Sequence, residues 1–218
     1  MKLFVSNKKE TVRMFKSGFM EFFSRTHWTV PIIIFVPVII VLSALAIAHY
    51  GLSYSVAAAA FLSGLGFWTL VEYLLHRFLF HYSPTSDWGR KIHWTFHGVH
   101  HDYPSDPLRL VMAPAVSLTL GAAFYGLFTF AAGAALTAPI MAGLIAGYLV
   151  YDISHFAMHH FPLKGRIMGA LREHHMRHHF QQPDAGFGVS SPLWDMVFRT
   201  GYNRSDKPSI SGNNADGS

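Results

Sequence analysis

Twelve of the chain's 15 histidines stand in four short clusters, and the spacing inside them is that of metal ligands. EYLLHRFLFH holds His76 and His81, HGVHH holds His97, His100 and His101, YDISHFAMHH holds His155, His159 and His160, and HHMRHH holds His174, His175, His178 and His179. Residues at i, i+3 and i+4 of an α-helix share a face, so His97, His100 and His101 are expected to converge on one point, as are His175, His178 and His179. His155 and His159 lie one turn apart. His76 and His81 are five apart and fall off a common face of an ideal helix, so either the helix loosens there or the two serve different metals. One zinc or iron takes three or four protein ligands, so roughly ten converging imidazoles imply two metals. Imidazole suits zinc, iron, copper and nickel alike, and the donor type alone does not choose among them.

Two acids belong with these clusters. Glu72 precedes His76 by one turn and Asp152 precedes His155 by three residues. A metal-bound imidazole usually gives its second N–H to a carboxylate or carbonyl, and both acids are spaced for that role. Ion pairs with Arg77 or Lys164 are the alternative. His27 and His49 flank the first apolar stretch and read as interfacial side chains; His93 is ambiguous.

The elements that must carry these residues are membrane helices. Of 218 residues, 51% are hydrophobic and 13% charged, against about 25% charged in a soluble domain. No Asp, Glu, Lys or Arg occurs from Thr26 to Val71 or from Leu110 to Tyr151. Each gap is about twice the ~20 residues that cross a bilayer as a helix. The turn-like stretches HYGLSYS and AAGAA divide them into two hairpins, with expected spans at 30–48, 56–75, 110–130 and 136–156. All 17 Lys and Arg lie outside these spans on one side, which makes that side cytoplasmic, with both termini and the histidine clusters on it. Residues 1–29 mix Phe and Met with Lys and Arg at roughly helical spacing, as a basic amphipathic interfacial segment does. Residues 30–203 form the membrane domain, and the polar, Gly/Ser-rich residues 204–218 read as a disordered tail.

Composition excludes other chemistries. With no cysteine, a disulfide framework, an iron–sulfur cluster and a thiolate-bound haem are ruled out. The net charge of +5 borders hydrophobic spans, so nucleic acid is not an expected partner; membrane lipids are. A polar interfacial cap would explain one histidine cluster but not four on one face. The residues thus predict an all-α integral membrane protein with four transmembrane helices in two hairpins and a cytoplasmic helical histidine-rich cap. That cap holds a dinuclear, all-histidine site.

In order and spacing, the boxes HxxxxH, HxxHH, HxxxHH and HxxHH resemble the fatty acid hydroxylase superfamily, which also contains sterol desaturases. EYLLHRFLFHY, HHDYPSDPLRLVM, YDISHFAMHH and GFGVSSPLWDMVF are similar to the fatty acid 2-hydroxylases that act on sphingolipid acyl chains. The resemblance spans roughly residues 60–200. It implies a membrane di-iron monooxygenase, located in a bacterial inner membrane or the endoplasmic reticulum, that uses O₂ and two electrons to hydroxylate carbon 2 of a free or lipid-linked fatty acyl chain. Zinc can fill such a site in purified protein. The ligands implied by position are His76, His81, His97, His100, His101, His155, His159, His175, His178 and His179. His160 and His174 are marginal, as ligands or as supports like Glu72 and Asp152. Trp68, Phe78, Phe80, Phe96 and Phe156 would line a chain cavity, and Tyr103, Asp106 and Arg109 would meet a headgroup or carboxylate. Eukaryotic 2-hydroxylases commonly carry a cytochrome b5-like domain, whereas no haem-binding segment is visible here. The expected electron source is therefore external, a separate cytochrome b5-like or ferredoxin-type protein, and the basic surface of Lys8, Lys9, Arg90, Lys91, Arg172 and Arg177 would dock an acidic redox partner or anionic lipid. The alternatives are a related lipid desaturase, a sterol or carotenoid ring hydroxylase, and, in another class, a non-catalytic membrane protein that binds or transports metal.

Overall fold

The structure is a computed structural model that describes residues 5–6 and 8–202, so the expected tail lies outside the described residues. Every regular element among those residues is a helix, and none is a strand. Among the described residues, three helices are long and apolar enough to cross a membrane. They are α2 (Thr29–Ala48), α3 (Tyr54–Leu74) with its continuation to Phe80, and α6 (Pro114–His160). Exposed Ile33, Ile40, Leu127 and Phe130 give these helices the apolar outer surface that lipid requires.

Helix α6 is two helical segments joined at Gly133, where φ is +76° and ψ 159°. Only a residue without a Cβ adopts this backbone cheaply, so AAGAA becomes the break between the segments. The first segment starts at Pro114 rather than at 110, with proline in the first turn where its missing N–H is harmless. The second runs past the expected end to His160, carrying the third histidine cluster inside the same helix.

Helix α3 and the second segment of α6 run side by side in the same direction. Gly64 packs against Ile140 and Leu144, Gly143 against Phe61 and Leu65, and Gly147 against Trp68. Without side chains at Gly64 and Gly143 the two backbones touch, the small-residue device by which helices associate in lipid. Below this crossing, Trp68, Tyr148 and Tyr151 pack ring against ring, and Phe35 of α2 meets Tyr148.

The histidine cap is built from shorter pieces. Helix α3 loosens into a π-helix at Leu75–Phe80. After α4 (Asp87–His93), capped by Ser86, a second π-helix at Trp94–Gly98 leads into α5 (Val99–Asp102). Helix α7 (Met168–Phe180) carries the last cluster, and residues 181–192 fold back over the cap to reach α8 (Leu193–Val197). The N-terminal segment contains one short helix, α1 (Gly18–Phe23). Residues 8–17 are irregular, strapped to the cap where Asp106 accepts from the Thr11 hydroxyl and the Val12 N–H, both at 2.9 Å.

Candidate metal centre

Ten histidines gather into two groups of five. His76, His81, His97, His101 and His178 form the first, and His100, His155, His159, His175 and His179 the second; within each group the candidate ligand nitrogens lie within 4.8 Å of one another. Two ligands on opposite sides of a metal with ~2.1 Å bonds are about 4.2 Å apart, so either group is close to the size of a coordination shell.

The loosened helix accounts for the spacing of five in the first cluster. The His81 N–H bonds the His76 carbonyl at 3.1 Å, an i to i+5 bond, and the two Nε2 atoms stand 3.2 Å apart. Such a π-turn brings i and i+5 onto one face, a distortion that recurs at functional sites. His76 and His81 thus serve one site.

Each HxxHH box is shared between the sites, where convergence on one point was expected. The i, i+4 pair His97 and His101 joins the first group and His100 the second; His175 and His179 join the second and His178 the first. The physical reason is angular: i and i+4 sit within one stripe, while the residue at i+3 flanks it on the other side and turns to the neighbouring group. Inside the groups Nε2 faces Nε2, at 2.9 Å for His81 with His178 and 3.0 Å for His97 with His101. In the second group the separations are 3.0 Å for His100 with His179 and 2.8 Å for His159 with His175.

Burial keeps these rings neutral. Together with the adjacent His178 it pushes His81 down to about 3, and it pushes His178 down to about 4. Burial first, and then neighbouring imidazoles, hold His97, His100, His101, His175 and His179 well below the usual range. Neutral imidazoles present lone pairs at physiological pH, as metal ligands must. Both ring nitrogens of His155 and the Nδ1 atoms of His175 and His179 are buried with no protein partner, a costly arrangement that a bound cation relieves on the side facing it. The donor set therefore fits two metal ions.

The two acids reach the site by another route than direct contact with imidazole. The Glu72 carboxylate accepts the N–H groups of Val189 and Ser190, at 2.7 and 2.8 Å, and the Ser190 hydroxyl. Asp152 accepts the Tyr148 hydroxyl at 3.0 Å and the Met112 N–H at 3.3 Å, fixing the entry to α6. Each finds backbone or hydroxyl donors, which is what a buried carboxylate needs. His160 and His174 join neither group: His160 stacks on Phe156, and His174 lies 3.3 Å from Asp195. Asp195, within GFGVSSPLWD, was given no role by the sequence reading. It accepts four hydrogen bonds, and these outweigh burial to hold its carboxyl below the usual range.

A cavity of about 590 Å³ opens beside the groups. His97 of the first group and His100 and His155 of the second line it, with an apolar wall that includes Phe15, Phe19, Phe23, Leu79, Phe80, Phe96, Val116 and Leu120. Phe80 and Phe96 thus take the expected place. Trp68 does not line this cavity but lines a smaller apolar one that shares Leu75, Met112 and Leu120 with it; Phe78 is exposed beneath Arg77, and Phe156 stacks on Trp28. Tyr103 caps α5 through its N–H to Val99 and is not among the lining residues. Asp106 and Arg109 are directed inward. Arg109 touches the cavity, but its guanidinium pairs with Glu21 at 2.5 Å and donates to the Val12 carbonyl and Ser24, and Asp106 holds the strap described above. Buried charges are satisfied by one another before any ligand arrives.

Residues 61–200 match the family model for fatty acid hydroxylase. The chain is 38% identical over 191 residues to dihydroceramide fatty acyl 2-hydroxylase FAH2 of Arabidopsis thaliana, covering 88% of this chain and 80% of that protein. It is 36% identical over 210 residues to the fatty acid 2-hydroxylase of Homo sapiens, covering 87% of this chain and 56% of that protein. A solved structure, full-length scs7p with only the hydroxylase domain visible, superimposes with a TM-score of 0.81 at 36% identity, covering 88% of this chain and 72% of that one.

Proposed function

Because the chain belongs to the fatty acid hydroxylase family, we propose that it is a membrane monooxygenase that hydroxylates carbon 2 of a fatty acyl chain, free or held in a sphingolipid-like lipid. The observation that carries this reading is the pairing of two five-histidine groups with one apolar cavity that both of them line. The similar proteins named above are, by their names, acyl 2-hydroxylases, and carbon 2 is taken from them.

The residues of each group would hold one iron. Five imidazoles exceed the four ligands of a structural zinc site, which supports iron over zinc as the working metal. Iron with O₂, two electrons and two protons would supply the oxidising power to turn C–H into C–OH, the second oxygen atom leaving as water. The chain's own part is binding and positioning. The Phe15, Phe19, Phe23, Leu79, Phe80 and Val116 wall takes up methylenes, each worth ~0.8 kcal/mol when removed from water, and keeps water from the reacting end. Exposed Phe19, Phe22 and Phe23 on α1 lie in the lipid interface, where an acyl chain enters from the bilayer.

On this reading α2, α3 and the two segments of α6 make four spans, with the cap and both termini cytoplasmic. Electrons come from a separate cytochrome b5-like or ferredoxin-type donor. Exposed Lys8, Lys9, Arg90 and Lys91 suit an acidic partner. Arg172 and Arg177 are engaged inward, on the Met158 carbonyl and over the Tyr202 ring.

The test is mass spectrometry of hydrolysed lipids from cells that express the wild type or His178→Ala with a reductase present. One added oxygen at carbon 2, labelled by ¹⁸O₂ and lost in the variant, is the expected result. Loss of two hydrogens without oxygen would make the protein a desaturase, and oxygen gain retained in His178→Ala would overturn the ligand assignment.

A further inference from the structure

Residues 187–190 have an unusual hydrogen-bonding arrangement. Four successive backbone N–H groups each meet a carboxylate oxygen: Phe187 and Gly188 bond Asp195 at 2.9 and 2.8 Å, and Val189 and Ser190 bond Glu72 at 2.7 and 2.8 Å. Both acids are buried, and they come from elements far apart in sequence, Glu72 from α3 and Asp195 from α8. With its N–H groups held from behind, the loop turns carbonyls toward the metal site. The Phe187 carbonyl lies 2.6 Å from His76 Nδ1, and the Ala185 carbonyl 2.8 Å from His178 Nδ1. A carbonyl only accepts, so both Nδ1 atoms must carry the proton, which leaves each Nε2 lone pair facing the other imidazoles of the first group.

The second group lacks this support. The Nδ1 atoms of His155, His175 and His179 have no protein partner, while the loop carbonyls of Phe187 and Ala185 go to His76 and His178 of the first group. Glu72 lies one turn before His76 on one helix, so the path from Glu72 through the loop to His76 closes on itself.

The geometry points to Glu72 and Asp195 as positioning residues that clamp the 185–190 loop, orient His76 and His178 through its carbonyls, and so tighten metal binding at the first group alone. The inference rests on the proposal that both groups hold metal, and it adds that the two metals are held unequally. Partners one bond removed from a metal typically change its affinity 10–100-fold.

The experiment counts Zn²⁺ bound to the purified full chain by elemental analysis against a graded chelator, a readout that needs no turnover. Wild type should hold two equivalents. Glu72→Ala should weaken one of them by about 10–100-fold and leave the other unchanged. Glu72→Gln, whose side-chain carbonyl still accepts both N–H groups, should restore it. In a background lacking both oriented imidazoles, His76→Ala with His178→Ala, Glu72→Ala should have no further effect. The proposal falls if Glu72→Ala weakens neither equivalent or both alike, or if Glu72→Gln is as impaired as Glu72→Ala. Wild-type hydrogen exchange adds an arm that does not depend on any variant folding. Metal-free, the amides of 187–190 should exchange more slowly than those of the exposed 162–166 loop, and equal rates would overturn the clamp. Two Zn²⁺ equivalents that respond as expected, without any lipid product, would uphold the clamp while sinking the hydroxylase reading. Product formation without the selective loss would do the reverse.

Discussion

Gly143→Ala tests whether the α3–α6 crossing sets the geometry of the metal centre. A methyl group at Gly143 would stand 1.9 Å from the Phe61 carbonyl oxygen, where ordinary contact begins near 3.4 Å. The obstacle is backbone and has no rotamer to change, so the helices must part by about 1.5 Å. His76 and His155 lie an equal twelve residues beyond Gly64 and Gly143, roughly 18 Å along helices that run the same way. Parting the helices therefore shifts the α3 ligands relative to the α6 ligands, while metal–ligand distances tolerate only about 0.2 Å. A misplacement of ~1 Å at a reacting centre can lower turnover 10²-fold, and overpacking costs about 1–3 kcal/mol of stability. The expected outcome is a loss of turnover on that order, with metal content reduced. Gly66→Ala is the control: it lies on α3, the other helix of the crossing, but meets open space, and it should stabilise by up to ~1 kcal/mol with full turnover. Activity and metal content are measured for both variants after reconstitution. Turnover in Gly143→Ala within a few-fold of Gly66→Ala would refute the claim.

Three further outcomes are expected. Arg109→Met removes the closest partner of Glu21 while Arg25 and the Met14 and Phe15 N–H groups remain, so the loss is that of a charge-assisted hydrogen bond, about 1.5–3 kcal/mol, and limited proteolysis should then cut residues 8–25 first. Glu21 should make that strap acid-sensitive: burial raises its pKa, but the N–H groups of Phe15 and Met14 with Arg25 and Arg109 outweigh it, and the net shift is downward. The stability it contributes is therefore present above the unfolded pKa of about 4.3 and lost as pH falls through the lower folded value, read as lower protection factors, with rates corrected for the intrinsic pH dependence of amide exchange, in residues 11–25 at pH 3 than at pH 6. Val116→Trp narrows the 590 Å³ cavity and should raise KM for long acyl chains more than for short ones, whereas equal effects would show that the chain lies elsewhere.

Much of this was legible because membrane spans and ligand spacing are strong one-dimensional signals. The charge-free gaps marked the apolar helices to within a few residues, and the ten histidines expected as ligands are the ten that gather. What was not legible depends on backbone departures and distant partners. A spacing of five is ambiguous until the helix is seen to loosen at Leu75–Phe80. Glu72 is one turn from His76, which suggests direct contact, but its partners are the N–H groups of residues 117 and 118 positions away. Arg109 was expected to meet a headgroup or carboxylate; its partner Glu21 lies 88 residues earlier, in a segment whose composition suggested only an interfacial helix.

The division of each HxxHH box between the two sites has a consequence for how the centre is assembled. Helix α7 supplies His178 to the first group and His175 and His179 to the second, while α5 with its preceding π-turn supplies His97 and His101 to the first and His100 to the second. Neither helix can serve one site without placing a ligand at the other, so the spacing between the sites is fixed by helix geometry: residues at i and i+3 rise only ~4.5 Å along the axis. Only α3 with its π-extension and α6 are committed to a single site, His76 and His81 to the first and His155 and His159 to the second. Those are the two helices locked backbone to backbone at Gly64 and Gly143. The shared boxes set the distance between the sites, and the glycine crossing sets the distance between the helices that close them; a dinuclear centre needs both.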